Sequence, residues 1–347
     1  MTSKPILIDH REGSFSDIWI EYCKQNQIPY KIVNCETDQI VEIAKDSSGL
    51  LWHWSHTDVS KALFARNLTY ALEAVGIKVF PSYDSCWNFD NKLAQKYQLE
   101  ALDLPLVKTW AFYEQQKALD WSKTTSYPKV FKLRCGAGSS NVLLVRTAKQ
   151  ASKLIKKMFK SGIPKIGRKS IWLDSLAKLK SEFSFANILR LAKATIRLVI
   201  KGKFEKYMGN EKGYAYFQDF IDGADHDLRI VVIGNRAIGI KRSIRENDFR
   251  ASGSGKIQYD KSLFSDNLLK LAFQVAEKTK SQCIAIDFIP NNEQYSIIET
   301  SYGFAHLAYH DCQGYWDKDL TWHDKPVRPA IFIIEDFLQN QDVNNHE

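Results

Sequence analysis

The chain contains no run of about 18 apolar residues, which excludes a hydrophobic helix of membrane-spanning length. Its opening stretch, Met1-Thr-Ser-Lys-Pro-Ile-Leu-Ile-Asp9, has no apolar signal-peptide core, and the expected location is cytoplasmic. Cysteine is sparse. Cys23, Cys35, Cys86, Cys135, Cys283 and Cys312 are scattered without metal-site spacing, which fits reduced structural thiols better than disulfides or zinc. Two glycine-rich nucleotide signatures are missing as well. No Gly-Lys-Ser/Thr follows the one Gly/Ser-rich loop at Walker spacing, and that loop lacks the third glycine and following helix of a dinucleotide fingerprint. With 347 residues and 44% hydrophobic content, the chain is long enough to bury substantial cores in two or three lobes.

Up to about residue 80, short apolar runs alternate with helical patterns. The strand candidates are Pro5-Ile-Leu-Ile-Asp9, Tyr30-Lys-Ile-Val-Asn34, Gly49-Leu-Leu-Trp52 and Ile77-Lys-Val-Phe80. Such alternation predicts a parallel sheet. Trp52-His-Trp-Ser-His56 ends the third strand, at the edge where α/β sheets bind ligands, and makes His53 and His56 candidate substrate contacts.

Tyr127-Pro-Lys-Val-Phe-Lys-Leu-Arg-Cys-Gly-Ala-Gly-Ser-Ser-Asn-Val-Leu-Leu-Val145 reads as strand, loop and strand. Small residues at Gly136, Ala137, Gly138, Ser139 and Ser140 let backbone N–H groups approach phosphate oxygens, and Lys132 supplies a point charge beside them. The same composition also suits an ordinary flexible hairpin.

Two apolar strands around Pro290-Asn-Asn-Glu-Gln294 carry one carboxylate each, Asp287 and Glu299. A hairpin centred near Glu293 sets them opposite one another, and the strand period of two adds Ser301 to the Glu299 face. Like charges across a ladder repel, and a hard divalent cation would relieve them. The other reading is a hairpin with an acidic, solvent-facing side.

Between these hairpins lie Gln218-Asp-Phe-Ile221, Asp227-Leu-Arg229, Lys241-Arg242 and Phe249-Arg250. In this order, over residues 80 to 303, the elements resemble the ATP-grasp superfamily, especially its glutathione-synthetase and ribosomal-protein-glutamate ligase branch of carboxylate-amine ligases. The resemblance implies an α/β ATP-grasp fold with an N-terminal pre-ATP-grasp lobe at 1–90 and a nucleotide-binding lobe at 91–220. A C-terminal lobe carrying the metal site follows at 221–347. It implies ATP held by Lys92, Lys132, Gly136, Gly138, Ser139 and Ser140, by the hinge Gln218, Asp219, Phe220 and Ile221, and by Asp225 at the ribose. Magnesium, or manganese in its place, would sit on Asp287, Glu299 and Ser301, where the family's last ligand is asparagine. Arg229, Lys241, Arg242 and Arg250 would line the reacting groups, with Arg242 on the carboxylate and the developing acyl phosphate. The implied reaction joins a carboxylate to an amine through an acyl phosphate and releases ADP.

Residues 149–212 hold 17 Lys and Arg against 4 Asp and Glu, a net +13, whereas the whole chain is +8 and the remainder −5. Apolar residues interleave with this charge at broadly helical spacing. The segment therefore reads as a basic helical insert. It either lies on an anionic membrane surface, on the inner face, or packs its apolar stripe on its own lobe. No nucleic-acid motif accompanies the charge, and no nucleic acid partner is expected. Tyr302, Phe304, Tyr309, Tyr315, Trp316 and Trp322 crowd the stretch after the metal carboxylates, as sugar-stacking faces or as core. Together the insert and the aromatic tail suggest a glycan or lipid-linked uronic acid as substrate, in cell-surface polysaccharide synthesis. The alternatives are an amino-acid or peptide ligase, and a nucleotide-binding scaffold without catalysis. An oligomer is compatible with all three.

Overall fold

The computed structural model describes residues 4–55, 58–136, 141–165, 167–181, 183–200, 209–244, 256–291 and 294–342. The chain divides into two units: Met1–Phe89 with Gln98–Pro105 and Ala224–Glu347, and Asp90–Tyr97 with Leu106–Gly223. The lobes drawn from sequence at 1–90 and 221–347 thus fall in one unit.

The first unit opens with β1 (Ile6–Asp9), β2 (Tyr30–Val33), β3 (Gly49–Trp52) and β4 (Val79–Phe80). They pair in the order β2-β1-β3-β4, every pair parallel. β1 and β3 are buried at every position, which is why both read as continuous apolar runs. Helices α1 (Phe15–Gln25), α2 (Ile40–Lys45) and α3 (Val59–Glu73) make the connections, and the single turn α4 (Tyr83–Cys86) follows β4. Ser14 caps α1 by accepting from the Ser16 N–H and Asp58 caps α3 by accepting from the Lys61 N–H, so each satisfies a first-turn donor with no partner in the helix.

In the second unit, which takes the start of α5 (Lys92–Ala101), come β5 (Thr109–Phe112), α6 (Gln115–Thr124), β6 (Lys129–Phe131), β7 (Leu143–Val145) and α7 (Ala148–Phe159). Then follow β8 (Ile163–Pro164), α8 (Arg168–Ser181), α9 (Phe185–Val199), β9 (Asn210–Glu211) and β10 (Ala215–Asp219). The sheet order is β5-β10-β6-β7, antiparallel throughout, with β8 and β9 paired separately. Phe131, Val145, Ala151, Ile155, Met158 and Phe217 form its core. α8 and α9 realise the expected helix pair and are tied by Trp172 Nε1 donating to Thr195 Oγ1 at 3.0 Å and Arg168 donating to the Leu198 carbonyl at 3.2 Å.

The chain then returns to the first unit with β11 (His226–Ile233), β12 (Arg236–Ser243), β13 (Ile257–Gln258), α10 (Asp266–Lys278), β14 (Cys283–Asn291), β15 (Gln294–Ser301), β16 (Tyr315–Asp317), β17 (Trp322–His323) and α11 (Pro329–Asp342). These strands form an antiparallel sheet ordered β15-β14-β11-β12-β16-β17, with β13 also on β12. One face of it, bearing Val231, Ile238, Ile240 and Ala285, belongs to the same core as Ile6, Trp19, Leu51 and Phe80 of the N-terminal segment. Trp19 Nε1 donates to the Ala330 carbonyl at 2.9 Å inside that core. Among the described residues, no helix is long and apolar enough to cross a membrane.

Candidate active site

On one face of β11, β12 and β14, strand alternation lines up Asp227, Arg229, Arg242 and Asp287. Arg242 sits opposite Asp227, and Arg229 opposite Asp287. Both arginines grip carboxylates in the bidentate way guanidinium geometry favours. Arg229 donates Nε and Nη2 to Asp287 at 2.5 and 2.7 Å, and Arg242 donates Nε and Nη2 to Asp227, both at 2.6 Å. Arg242 Nη2 also lies 3.0 Å from Asp287 Oδ2 and joins the pairs into a quartet. Burial by itself would raise Asp287, but the two guanidinium groups override it and hold the carboxyl well below the usual carboxylate range. Asp227 moves the other way, raised by burial and by the Asp287 charge.

Glu299 pairs directly with Asp287 across the β14–β15 ladder, and Ser301 pairs with Ala285 on the same face. The register depends on an irregularity. Phe288 faces Ile297 while Asp287 faces Glu299, so Ile298 is an extra residue absorbed as a bulge. In a regular ladder Asp287 would face Ile298, and Glu299 would turn to the other side of the sheet. The Ser301 hydroxyl donates to the Gly303 carbonyl at 2.7 Å and accepts from the Gly303 N–H at 3.2 Å, closing the turn that leaves β15. Lys241 pairs with Leu228 on one side and Gln258 on the other and, one residue from Arg242, projects from the opposite face of the sheet. The structure therefore separates Lys241 from Arg229 and Arg242, with which it was expected to line the reacting groups. Arg250 falls outside the described residues.

The expected nucleotide residues other than Asp225 lie in the second unit. Lys92 is buried at the start of α5; its backbone N–H donates to the Arg134 carbonyl and its Nζ to the Gly136 carbonyl, each at 2.9 Å. The Gly136 N–H donates to Asp90 at 2.6 Å, and Gly136 has φ +125°, a conformation open to glycine and strained for other residues. Asp90, Lys92 and Gly136 thus anchor the entry to the Gly/Ser loop, of which Gly138, Ser139 and Ser140 fall outside the described residues. Lys132 is buried and donates to Gln218 Oε1 at 2.6 Å, and Gln218 Nε2 donates to Thr109 at 3.2 Å. The Asp219 carboxylate is held at 2.6 Å by buried Lys129, and Phe220 and Ile221 after it are half-buried. Asp225, assigned to the ribose, belongs to the first unit, where it is exposed and bonds the His226 ring at 2.5 Å.

At the C-terminal ends of β1 and β3, His53 is buried and stacks on Phe15 with ring centroids 3.8 Å apart. Its Nδ1 accepts the Phe15 N–H at 3.3 Å, which requires the neutral ring with its proton on Nε2. Burial pushes the imidazole well below its ordinary value, with Arg11 and His306 adding to the effect. His53 is thus part of the core at this sheet edge, and His56 falls outside the described residues. Tyr302, Phe304, Tyr309 and Trp316 of the aromatic tail are buried core residues; Tyr315 and Trp322 are half-buried.

Two features escaped the sequence reading: Asp227 as the counter-ion of Arg242, and Lys129 as the partner of the hinge carboxylate. The first left a signal, since Asp227 and Arg229 share a strand face at a spacing of two. The second pairs residues 90 positions apart and left none. Among the described residues, no group of three or more His, Cys, Asp or Glu is placed to hold a metal ion.

Residues 176–305 match the family model described as the RimK-like ATP-grasp domain. The alpha-aminoadipate–LysW ligase LysX of Saccharolobus solfataricus is 21% identical over 232 residues, 67% of each chain. A RimK domain ATP-grasp protein from Sphaerobacter thermophilus superposes with a TM-score of 0.54 at 15% identity, covering 85% of this chain and 90% of that one. The D-alanine–D-alanine ligase of Bacillus anthracis does so with a TM-score of 0.53 at 13% identity, over 99% of this chain and 100% of that one. The ordered residues from Lys92 to Ser301, the sheets beside them and these matches lead to one conclusion: the chain has the ATP-grasp fold, and its residues 176–305 are similar to the RimK-like ATP-grasp domain.

Proposed function

We propose that this chain is an ATP-dependent ligase that joins the carboxylate of an amino acid or peptide to an amine through an acyl phosphate. The observation that carries the reading is the Asp227–Arg242–Asp287–Arg229 quartet beside Glu299 on one sheet face. The Arg242 fork is closed on two carboxylates and its side chain is 8% exposed. Arg229 is 23% exposed and among the described residues bonds through Nε and Nη2, which leaves Nη1 for a substrate oxyanion. The role first assigned to Arg242 therefore passes to Arg229, with Arg242 fixing Asp287 in place. In the reaction the substrate carboxylate oxygen attacks the γ-phosphorus and ADP departs; the amine nitrogen then attacks the acyl carbon, phosphate leaves and the nitrogen loses a proton.

The donor set fits magnesium. Two carboxylates face one another across the ladder, and Asp287, with three guanidinium N–H groups on it, keeps acceptor capacity on Oδ1. Glu299 and Asp287 would hold the ion, with Ser301, already engaged on Gly303, as the weaker donor. When bound, the ion would neutralise charge on the phosphoryl oxygens. Lys92, Lys132 and the Gly136 loop would hold the phosphates, and the backbone after Gln218 and Asp219 the adenine.

An amino-acid substrate is favoured over a uronic acid because the aromatic tail is largely core and offers few faces to a sugar ring. The relative named for alpha-aminoadipate points the same way. The need for ATP supports a cytoplasmic location. The test is ADP release from Mg-ATP with panels of amino and uronic acids, with hydroxylamine trapping the acyl phosphate as hydroxamate. Hydroxamate with amino acids is expected. Hydroxamate with uronic acids alone would restore the glycan reading, AMP release would overturn the mechanism, and ATP binding without turnover on any acid would favour the scaffold. Glu299→Ala is expected to abolish ADP release while leaving the melting curve unchanged; full turnover in that variant would remove the metal assignment.

A further inference from the structure

On a surface helix of a globular protein the apolar stripe faces the core. In α9 it faces away. Asn187, Leu191 and Ala194, at spacings of four and three, make the inner side against α8, with Ala194 buried and Thr195 bonded to Trp172. Phe185, Leu189, Ile196, Val199 and Ile200, at spacings of four, seven, three and one, fall on the outer side, and all are exposed, Phe185 at 76% and Val199 at 84%. Phe183, just before the helix, is 84% exposed. Arg190, Lys193 and Arg197, also three and four apart, run along one edge, all exposed. No Asp or Glu occurs from Phe183 to Ile200. The strip is about 22 Å long at 1.5 Å per residue.

We infer that the outer face of α9 docks on an anionic lipid surface, with the apolar stripe entering the headgroup boundary and Arg190, Lys193 and Arg197 meeting lipid phosphates. Charge decides between the occupants. A second copy would bring another segment of net +13 against the first, and like charge opposes that contact. A straight apolar strip edged with basic side chains matches a flat anionic boundary. This inference is independent of the ligase reading, and the ADP assay on the same preparation reads the two separately.

The test is cosedimentation of the full chain with phosphatidylcholine vesicles, with and without phosphatidylglycerol. Binding to the anionic vesicles alone, falling as salt rises, is expected. Replacing Arg190, Lys193 and Arg197 by glutamine should weaken it by about fivefold per residue. Phe185→Ser with Val199→Ser should abolish it, with the melting curve unchanged because both side chains are exposed. No binding to anionic vesicles at low salt, or equal binding by the variants, would overturn the inference. Self-association through this face, or capture by polyglutamate in preference to vesicles, would overturn it in favour of a second copy or an acidic protein.

Discussion

Arg229 and Arg242 meet the same carboxylate with different consequences. Arg242 is closed in by Asp227 and Asp287, and removing it leaves two buried carboxylates facing each other. Arg242→Ala is expected to destabilise the first unit by about 3–5 kcal/mol, read from denaturant unfolding. Arg229→Lys keeps a charge but loses the fork; it should lower kcat roughly 100-fold, the effect of losing one positioned oxyanion donor, with the unfolding midpoint nearly unchanged. A loss of stability in Arg229→Lys as large as in Arg242→Ala would show that the two arginines do not divide the work. The thiols bear on the same scale. All six cysteines are free and buried, and burial pushes Cys23 and Cys135 up to about 11 and Cys86 and Cys312 up to about 12. None of the six should react with a thiol reagent near neutral pH until the chain unfolds.

At the scale of elements, the short β9 is secured by charge. Glu211 accepts from Arg134 Nε and Nη2 at 3.2 and 2.9 Å and from the Tyr214 hydroxyl at 2.9 Å, with Lys165 at 3.4 Å. Burial would raise its pKa, but Arg134, Tyr214 and Lys165 outweigh it and hold the carboxyl below its ordinary value. A carboxyl depressed in the folded state adds stability above its ordinary value and loses it as pH falls through the lower folded value. Glu211→Ala should therefore cost about 3–5 kcal/mol at neutral pH, and the gap from the parent should close as pH drops below the ordinary glutamate range. Urea unfolding across that range would show it, and a pH-independent gap would contradict the assignment. The β14–β15 hairpin shows how far an element is legible. Its turn, its two strands and the carboxylate on each, Asp287 and Glu299, follow from turn residues and a period of two. The bulge at Ile298 that maintains the opposition does not, because absorbing one residue is a choice made by packing on both faces.

For the whole molecule, the first unit is closed by a segment far along the chain. Ile333, Ile334 and Phe337 of α11 are buried in the core that holds β1 and β3, and Trp19 bonds to Ala330. A chain ending at residue 328 would expose that core; it is expected to lose cooperative melting of the first unit and to aggregate, as seen by circular dichroism and light scattering. A soluble truncated chain with the parent's melting curve would refute the shared core.

Local patterns in the sequence were sufficient to determine the parallel N-terminal sheet, the basic helix pair and the C-terminal hairpin with a carboxylate on each strand. Each rests on periodicity or composition within about twenty residues, and side-chain direction in a strand or helix follows from that spacing alone. Tertiary structure decided the rest. It closed Arg242 on Asp227, turned Lys241 to the far side of the sheet, set Lys129 on the hinge acid, buried the aromatic tail and left the apolar side of α9 outward. Most of these depend on which strands and helices become neighbours. Neighbours far apart in sequence are chosen by the burial of whole faces, a property of the folded chain that no short stretch of it carries.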